Sequence, residues 1–224
     1  MSSADSPHHA QAYGLPVGVH TPGGARKEPP VLDSAPTTGY RFNHMMIRIQ
    51  DPEATFKFYV DLMGMRTVFA INTGPFTVYY LGYPQSPEHR ADPAAFARDV
   101  ANHSVLTQTL GLLELCHYHG SENQPKGYIS TGTKPPHLGF NHLGFTVPSV
   151  PETVERLRSA GVRIVKDYGQ GPVEGIPTTT WEREQGVAID ELSAGFFNII
   201  NQVAFVEDPN GYLVELVPQQ LSPQ

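Results

Sequence analysis

From residue 44 the chain alternates between two kinds of position. In HMMIRI, His44, Met46 and Arg48 fall on one face and Met45, Ile47 and Ile49 on the other, the two-residue period of a strand. The period then lengthens. Asp51-Pro52-Glu53 places a capping residue and a proline ahead of a stretch in which Phe58 and Leu62, and Tyr59 and Met63, stand four apart, so a helix is predicted, with Gly64 as its stop. Strands are predicted at Arg66–Ile71, Thr77–Leu81 and Leu110–Tyr118, with a short helix over Pro93–Val100 in the long connection between the last two. The same order returns from His142. Ser149-Val150-Pro151-Glu152 has the capping-box pattern and opens a helix through Ala160, stopped by Gly161. Strands follow near Val162–Lys166, Val203–Glu207 and Tyr212–Val217, the last two joined by the turn Asp208-Pro209-Asn210-Gly211.

The two runs match at a nearly constant shift: 98 positions from His44 to His142, 97 from Gly64 to Gly161 and 101 from Leu115 to Leu216. A shift held this closely marks a duplicated unit. The pattern therefore predicts an α+β chain of two tandem βαβββ modules. Residues 1–39 are rich in Pro, Gly, Ser and His and form an extended arm, in which the pair His8-His9 is solvated. The first module spans 40–125, a linker 126–137 and the second module 138–220, interrupted by an inserted loop at 169–202.

Charge and cysteine content narrow the function. A net charge of −7 supplies no basic face for nucleic acid or an acidic membrane. No apolar run of about 18 residues is present to span a membrane. The single cysteine, Cys116, excludes an intrachain disulfide and, with no secretory leader visible, points to a reducing, cytoplasmic setting.

Chemistry repeats with the modules. Leu113-Glu114-Leu115 and Val214-Glu215-Leu216 each set a glutamate between aliphatics, so that on a strand the carboxylate faces away from them. An enclosed bare carboxylate is costly and needs a partner. Two histidines, His44 and His142, and two glutamates, one pair per module, would balance a divalent cation, and the N/O donor set suits Zn, Ni, Co or Fe(II). In His117-Tyr118-His119 only Tyr118 shares the face of Glu114, which leaves the histidines on a rim. Cys116 also shares that face, as a buried thiol.

The segments HMMIRIQDPEATFKFYVDLMGM, TVYYLGY, LELCHYHG, FNHLGFTVP and VEDPNGYLVELVP resemble glyoxalase I of the vicinal oxygen chelate superfamily, over about residues 40–168 and 203–218. The resemblance implies paired βαβββ modules forming a cupped sheet around one metal held by His44, Glu114, His142 and Glu215. It also implies proton transfer from C1 to C2 of a hemithioacetal through an enediolate, with Glu215 as principal base and Glu114 as its counterpart. Eukaryotic-type members carry Gln at the position of His44 and bacterial-type members His, so the family leaves zinc, nickel or cobalt open. A homodimer is implied, in which each cup joins the first module of one chain to the second of the other and the arm lies across the partner.

Arg48 matches the family arginine that pairs with a glutathione carboxylate. Three features depart from the glutathione site: Leu138 and Tyr118 stand where the family has arginine and asparagine, and the long segment 169–202 replaces a short lysine-bearing loop. That segment, with Trp181 and Phe196-Phe197, reads as a lid lining the pocket. The leading reading is a glyoxalase I-like lyase or isomerase acting on a small molecule. Alternatives are a glutathione-independent isomerase, cyclase or ring-cleaving dioxygenase on a bulkier metabolite, and a non-catalytic ligand-binding protein. Metal content separates the last from the enzymes, and dependence on glutathione separates the enzymes from each other.

Overall fold

A computed structural model describes residues 15–24 and 28–221; the His8-His9 pair lies outside them. In chain order, β1 (His44–Ile49) leads into α1 (Pro52–Phe56), which continues as a π-helical segment (Lys57–Leu62) before β2 (Arg66–Asn72) and β3 (Phe76–Gly82). Three short helices, α2 (Pro87–Ala91), α3 (Pro93–Val100) and α4 (His103–Leu106), precede β4 (Leu112–Tyr118). A small hairpin, β5 (Thr133–Lys134) and β6 (His137–Leu138), occupies the expected linker. The second module follows as β7 (His142–Val147), α5 (Val150–Ser159) and β8 (Arg163–Lys166), then α6 (Thr180–Glu184), α7 (Ala194–Gln202), β9 (Ala204–Glu207) and β10 (Leu213–Pro218). The two four-stranded sheets have equivalent orders, β1-β4-β3-β2 and β7-β10-β9-β8, each with one parallel pair, β1 with β4 and β7 with β10. The predicted α+β duplication is the observed fold.

The helix signals act as expected, with two refinements. Asp51 accepts from the Ala54 N–H, and Ser149 from the Glu152 N–H at 3.4 Å. Gly64 and Gly161 end their helices at φ +81° and +83°, where a side chain would be strained. The first helix does not stay α-helical: the Met63 N–H reaches Phe58 O, five residues back, at 2.9 Å. That wider turn brings Phe58, Tyr59 and Met63 into the core and leaves Leu62 only half-buried. The expected inserted loop is also partly helical. Ser193 caps α7 through the Phe196 N–H, and Thr179 with Glu182 forms a reciprocal box at the start of α6.

The helix-bearing faces of both sheets share one core. Ile47, Ile49, Leu113 and Leu115 of the first sheet join Val206, Val214 and Leu216 of the second, with Tyr59 and Leu157 among the helix residues between them. Polar bonds tie the modules together. The Tyr59 hydroxyl donates to Asp208 Oδ2 at 2.9 Å, the Gln50 N–H to Asn210 Oδ1 at 2.8 Å, and Arg156 Nη1 to Leu62 O at 2.7 Å. Burial, then the neighbouring Asp208, pushes the Tyr59 phenol up, and burial likewise raises the Asp208 carboxyl against its hydrogen bonds. The opposite faces of the two sheets, bearing the His–Glu positions, turn away from this core. Among the described residues no helix is long and apolar enough to cross a membrane.

Candidate functional site

Strand register builds the same row twice. Across the first sheet Phe69, Tyr80, Glu114 and Met46 are cross-strand neighbours; across the second, Lys166, Phe205, Glu215 and Gly144. His44 and His142 lie two residues before Met46 and Gly144, so each imidazole shares its glutamate's face. His44 Nε2 stands 3.3 Å from Glu114 Oε2, and His142 Nε2 stands 3.2 Å from Glu215 Oε2.

Both histidines close the same triplet, Phe42-Asn43-His44 and Phe140-Asn141-His142, and its asparagine orients the ring. Asn43 Oδ1 meets His44 Nδ1 at 2.8 Å, and Asn141 Oδ1 meets His142 Nδ1 at the same distance. The Asn43 amide nitrogen donates to Leu106 O and Thr109 O at 2.8 and 2.5 Å, which fixes its oxygen toward the ring. With Nδ1 turned to the asparagine, Nε2 is the nitrogen that faces the carboxylate in each half. An imidazole and a carboxylate oriented side by side in this way are a donor set that fits a divalent metal.

The halves are not equivalent. The Tyr80 hydroxyl donates to Glu114 Oε2 at 2.8 Å, while the ring stacks on Phe69 and meets His44 edge-on. Burial and that hydrogen bond raise Tyr80 to about 12, so the phenol is protonated at neutral pH. In the second half Phe205 takes this place, edge-on to His142 with centroids 5.4 Å apart. Tyr80 and Phe205 are absent from the sequence-level candidates, although aligning the strand pairs would have set each beside its glutamate.

Arg48 stacks over the Tyr118 ring with 4.3 Å from Cζ to the centroid, on the face of Glu114. Cys116 is buried on that face, and burial raises its thiol. His117 pairs with Glu122 and His119 with Thr77, each at 2.9 Å, away from both His–Glu pairs. Leu138 lies on β6 and Trp181 on α6, outside the two sheets that carry those pairs.

The segment 169–202 covers the Glu215 side of the second sheet. Its Ile176 and Ile200 pack with Val203, Phe205 and Leu213, and Val173 and Val217 flank them. Lys166, fully buried, fastens it: Nζ donates to Ile200 O, to Val203 O at 2.7 Å and to Asp167 O at 3.1 Å. Burial pulls this ammonium down to about 8, against Asp167 and Glu215. The only sequence signal was a lysine closing an otherwise apolar strand end.

Within one chain the two His–Glu pairs stay on separate sheets. Among the described residues no three His, Cys, Asp or Glu side chains gather to hold one ion. A groove of about 680 Å³ separates the edge strands β1 and β7, lined by His44, Met45, Leu113, Gly144 and Phe145 among others.

A lactoylglutathione lyase of Pseudomonas aeruginosa is 30% identical over 188 residues, covering 83% of this chain and 86% of that protein. Glyoxalase I of Saccharomyces cerevisiae is 28% identical over 180 residues, covering 78% of this chain; the chain spans only 44% of that protein. A solved trypanothione-dependent glyoxalase I of Leishmania major aligns with a TM-score of 0.47 at 22% identity, over 81% of this chain and 88% of that one. The family model of the Glyoxalase/Bleomycin resistance protein/Dioxygenase superfamily matches residues 41–216. That match runs through both modules, and the chain belongs to this superfamily.

Proposed function

We propose that this protein is a metal-dependent lyase or isomerase of the glyoxalase I kind, with a site shared between two copies of the chain. The observation that carries the reading is the repeated Asn–His–Glu arrangement, in which each Nε2 faces its glutamate's Oε2 at 3.3 and 3.2 Å. His44 and Glu114 of one copy, with His142 and Glu215 of the partner subunit, would hold the ion. Bound there, it would supply a Lewis acid for the two substrate oxygens. Glu215 takes the proton from the hydroxyl-bearing carbon and returns it to the neighbouring carbonyl carbon. The C–H electron pair passes through a carbon–carbon double bond into the new C–H bond, and the hydroxyl proton moves to the former carbonyl oxygen. The product is therefore an isomer and no oxidant is needed.

Several features support a second copy. The two pairs do not meet within one chain. β1 and β7 are edge strands of their sheets, open to further pairing. Tyr40 and Phe42, just before β1, are 78% and 74% exposed, aromatic surface that a second copy would cover.

A second reading, a bulkier substrate without glutathione, is favoured by the roof over Glu215. The strands of the second sheet carry two cations, and both are engaged: Arg163 with Glu207 at 2.6 Å, and Lys166 with three carbonyls. Arg48 offers one cationic anchor in the first half-site, whereas glutathione presents two carboxylates. The test is purified protein with methylglyoxal, with and without glutathione, together with elemental analysis. Bound divalent metal and chelator-sensitive turnover are expected. Protein purified without metal, and activity indifferent to chelators, would overturn the proposal.

A further inference from the structure

The duplicated half-sites differ at one position that touches a carboxylate. Tyr80 is the cross-strand neighbour of Glu114, and Phe205 is the cross-strand neighbour of Glu215. Both rings stand edge-on to the histidine of their half, at 5.3 Å for His44 and 5.4 Å for His142. The repeat has thus kept the ring and changed only the hydroxyl. That hydroxyl sits 2.8 Å from Glu114 Oε2, the same oxygen that faces His44 Nε2, and stacking on Phe69 at 4.5 Å holds it there. Among the described residues, Glu215 has His142 as its one partner within ion-pair distance, and the buried Lys166 ammonium, beyond Phe205 in the same row, attracts it from farther away. On its other side Gly144 leaves room: an added Cβ would come no nearer than 3.8 Å to Glu215 Oε2. The equivalent neighbour of Glu114 is Met46.

We infer that Tyr80 divides the labour between the two carboxylates, fixing Glu114 as a ligand and leaving Glu215 as the mobile base. A donated hydrogen bond occupies a lone pair of Glu114 and restrains its rotation, which keeps that carboxylate from turning to a substrate carbon. Glu215, with a phenyl ring beside it and a glycine opposite, keeps a free oxygen and space to turn it toward the substrate carbon. Tyr80 is on this account a positioning residue that acts through Glu114. The inference rests on the function proposed above.

The experiment compares Glu215→Gln with the double variant Glu215→Gln/Tyr80→Phe, and adds Phe205→Tyr alone. Turnover is measured with the metal-loaded protein, and metal affinity by chelator competition. Removing the phenol frees Glu114, so the double variant should recover at least tenfold in kcat over Glu215→Gln, with metal affinity within about threefold. Phe205→Tyr should lower kcat about tenfold at unchanged KM, the effect of one added hydrogen bond on the base. A double variant as inactive as Glu215→Gln would overturn the inference, and this arm does not depend on Phe205→Tyr folding. A tenfold fall in metal affinity on removing the phenol would also overturn it, by making Tyr80 a support for the metal alone. Unaltered protein without metal-dependent turnover would overturn the proposed function, and the division of roles with it.

Discussion

Replacing Lys166 by Met tests whether the segment 169–202 is a fixed roof. The substitution keeps a long apolar stem in a site with no exposure but removes the ammonium. The carbonyls of Ile200 and Val203 lose their buried donor, at ~1–3 kcal/mol each. Against this, burial that moves the lysine from 10.5 to about 8 costs the charged form ~3 kcal/mol at neutral pH, and the variant escapes that cost. Net stability should therefore move between ~1 kcal/mol gained and ~3 kcal/mol lost. The local effect should be large, because both orphaned carbonyls belong to the end of α7 or the residue after it. Hydrogen exchange should show α7 amides losing protection by roughly ten- to hundredfold while β9 and β10 keep theirs. The pH dependence has a definite sign. The folded value lies below the unfolded one, so the native protein gains stability as pH rises from about 8 to 10.5, and the variant should lack that gain. Unchanged protection in α7, or a thermal midpoint with the same pH dependence in both proteins, would refute the reasoning.

Three further outcomes follow from the same geometry. Asn43→Ala should lower metal affinity by about 10- to 100-fold in chelator competition, since it releases the ring of His44 while leaving the ligands in place. Tyr59→Phe removes a buried donor from Asp208 and should cost ~1–3 kcal/mol in denaturant unfolding, with metal affinity retained. Glu215→Gln should abolish turnover while circular dichroism and thermal midpoint stay close to those of the unaltered protein, because its side chain lies on the face turned away from the shared core.

The alternation in HMMIRI, the helix caps and the repeat shift were enough to place both modules, and the two His–Glu pairs fell out of the same repeat. Period and register of that kind are local properties, so a sequence displays them. What stayed hidden depends on which surfaces meet. The alternation put Lys166 on a face but could not say that α7 would bring carbonyls to it. It gave no hint that Met63 would bond back to Phe58 and widen the helix. The sequence marked Leu138 and Trp181 as pocket residues; the fold puts Leu138 on the hairpin strand β6 and Trp181 on α6 of the covering segment. Asn43 and Asn141 stood in plain view inside the repeated triplet, yet their role needs the ring geometry.

The central claim is that one metal site is assembled from His44 and Glu114 of one copy and His142 and Glu215 of another. The most direct test mixes two inactive variants, His44→Ala/Glu114→Gln and His142→Ala/Glu215→Gln, by co-expression. In a two-fold dimer with shared sites, half of the dimers are mixed and each mixed dimer holds one intact site, so about one quarter of the normal metal content and turnover should return. A mixture as metal-free and inactive as either variant alone, while each variant folds normally, would contradict the account.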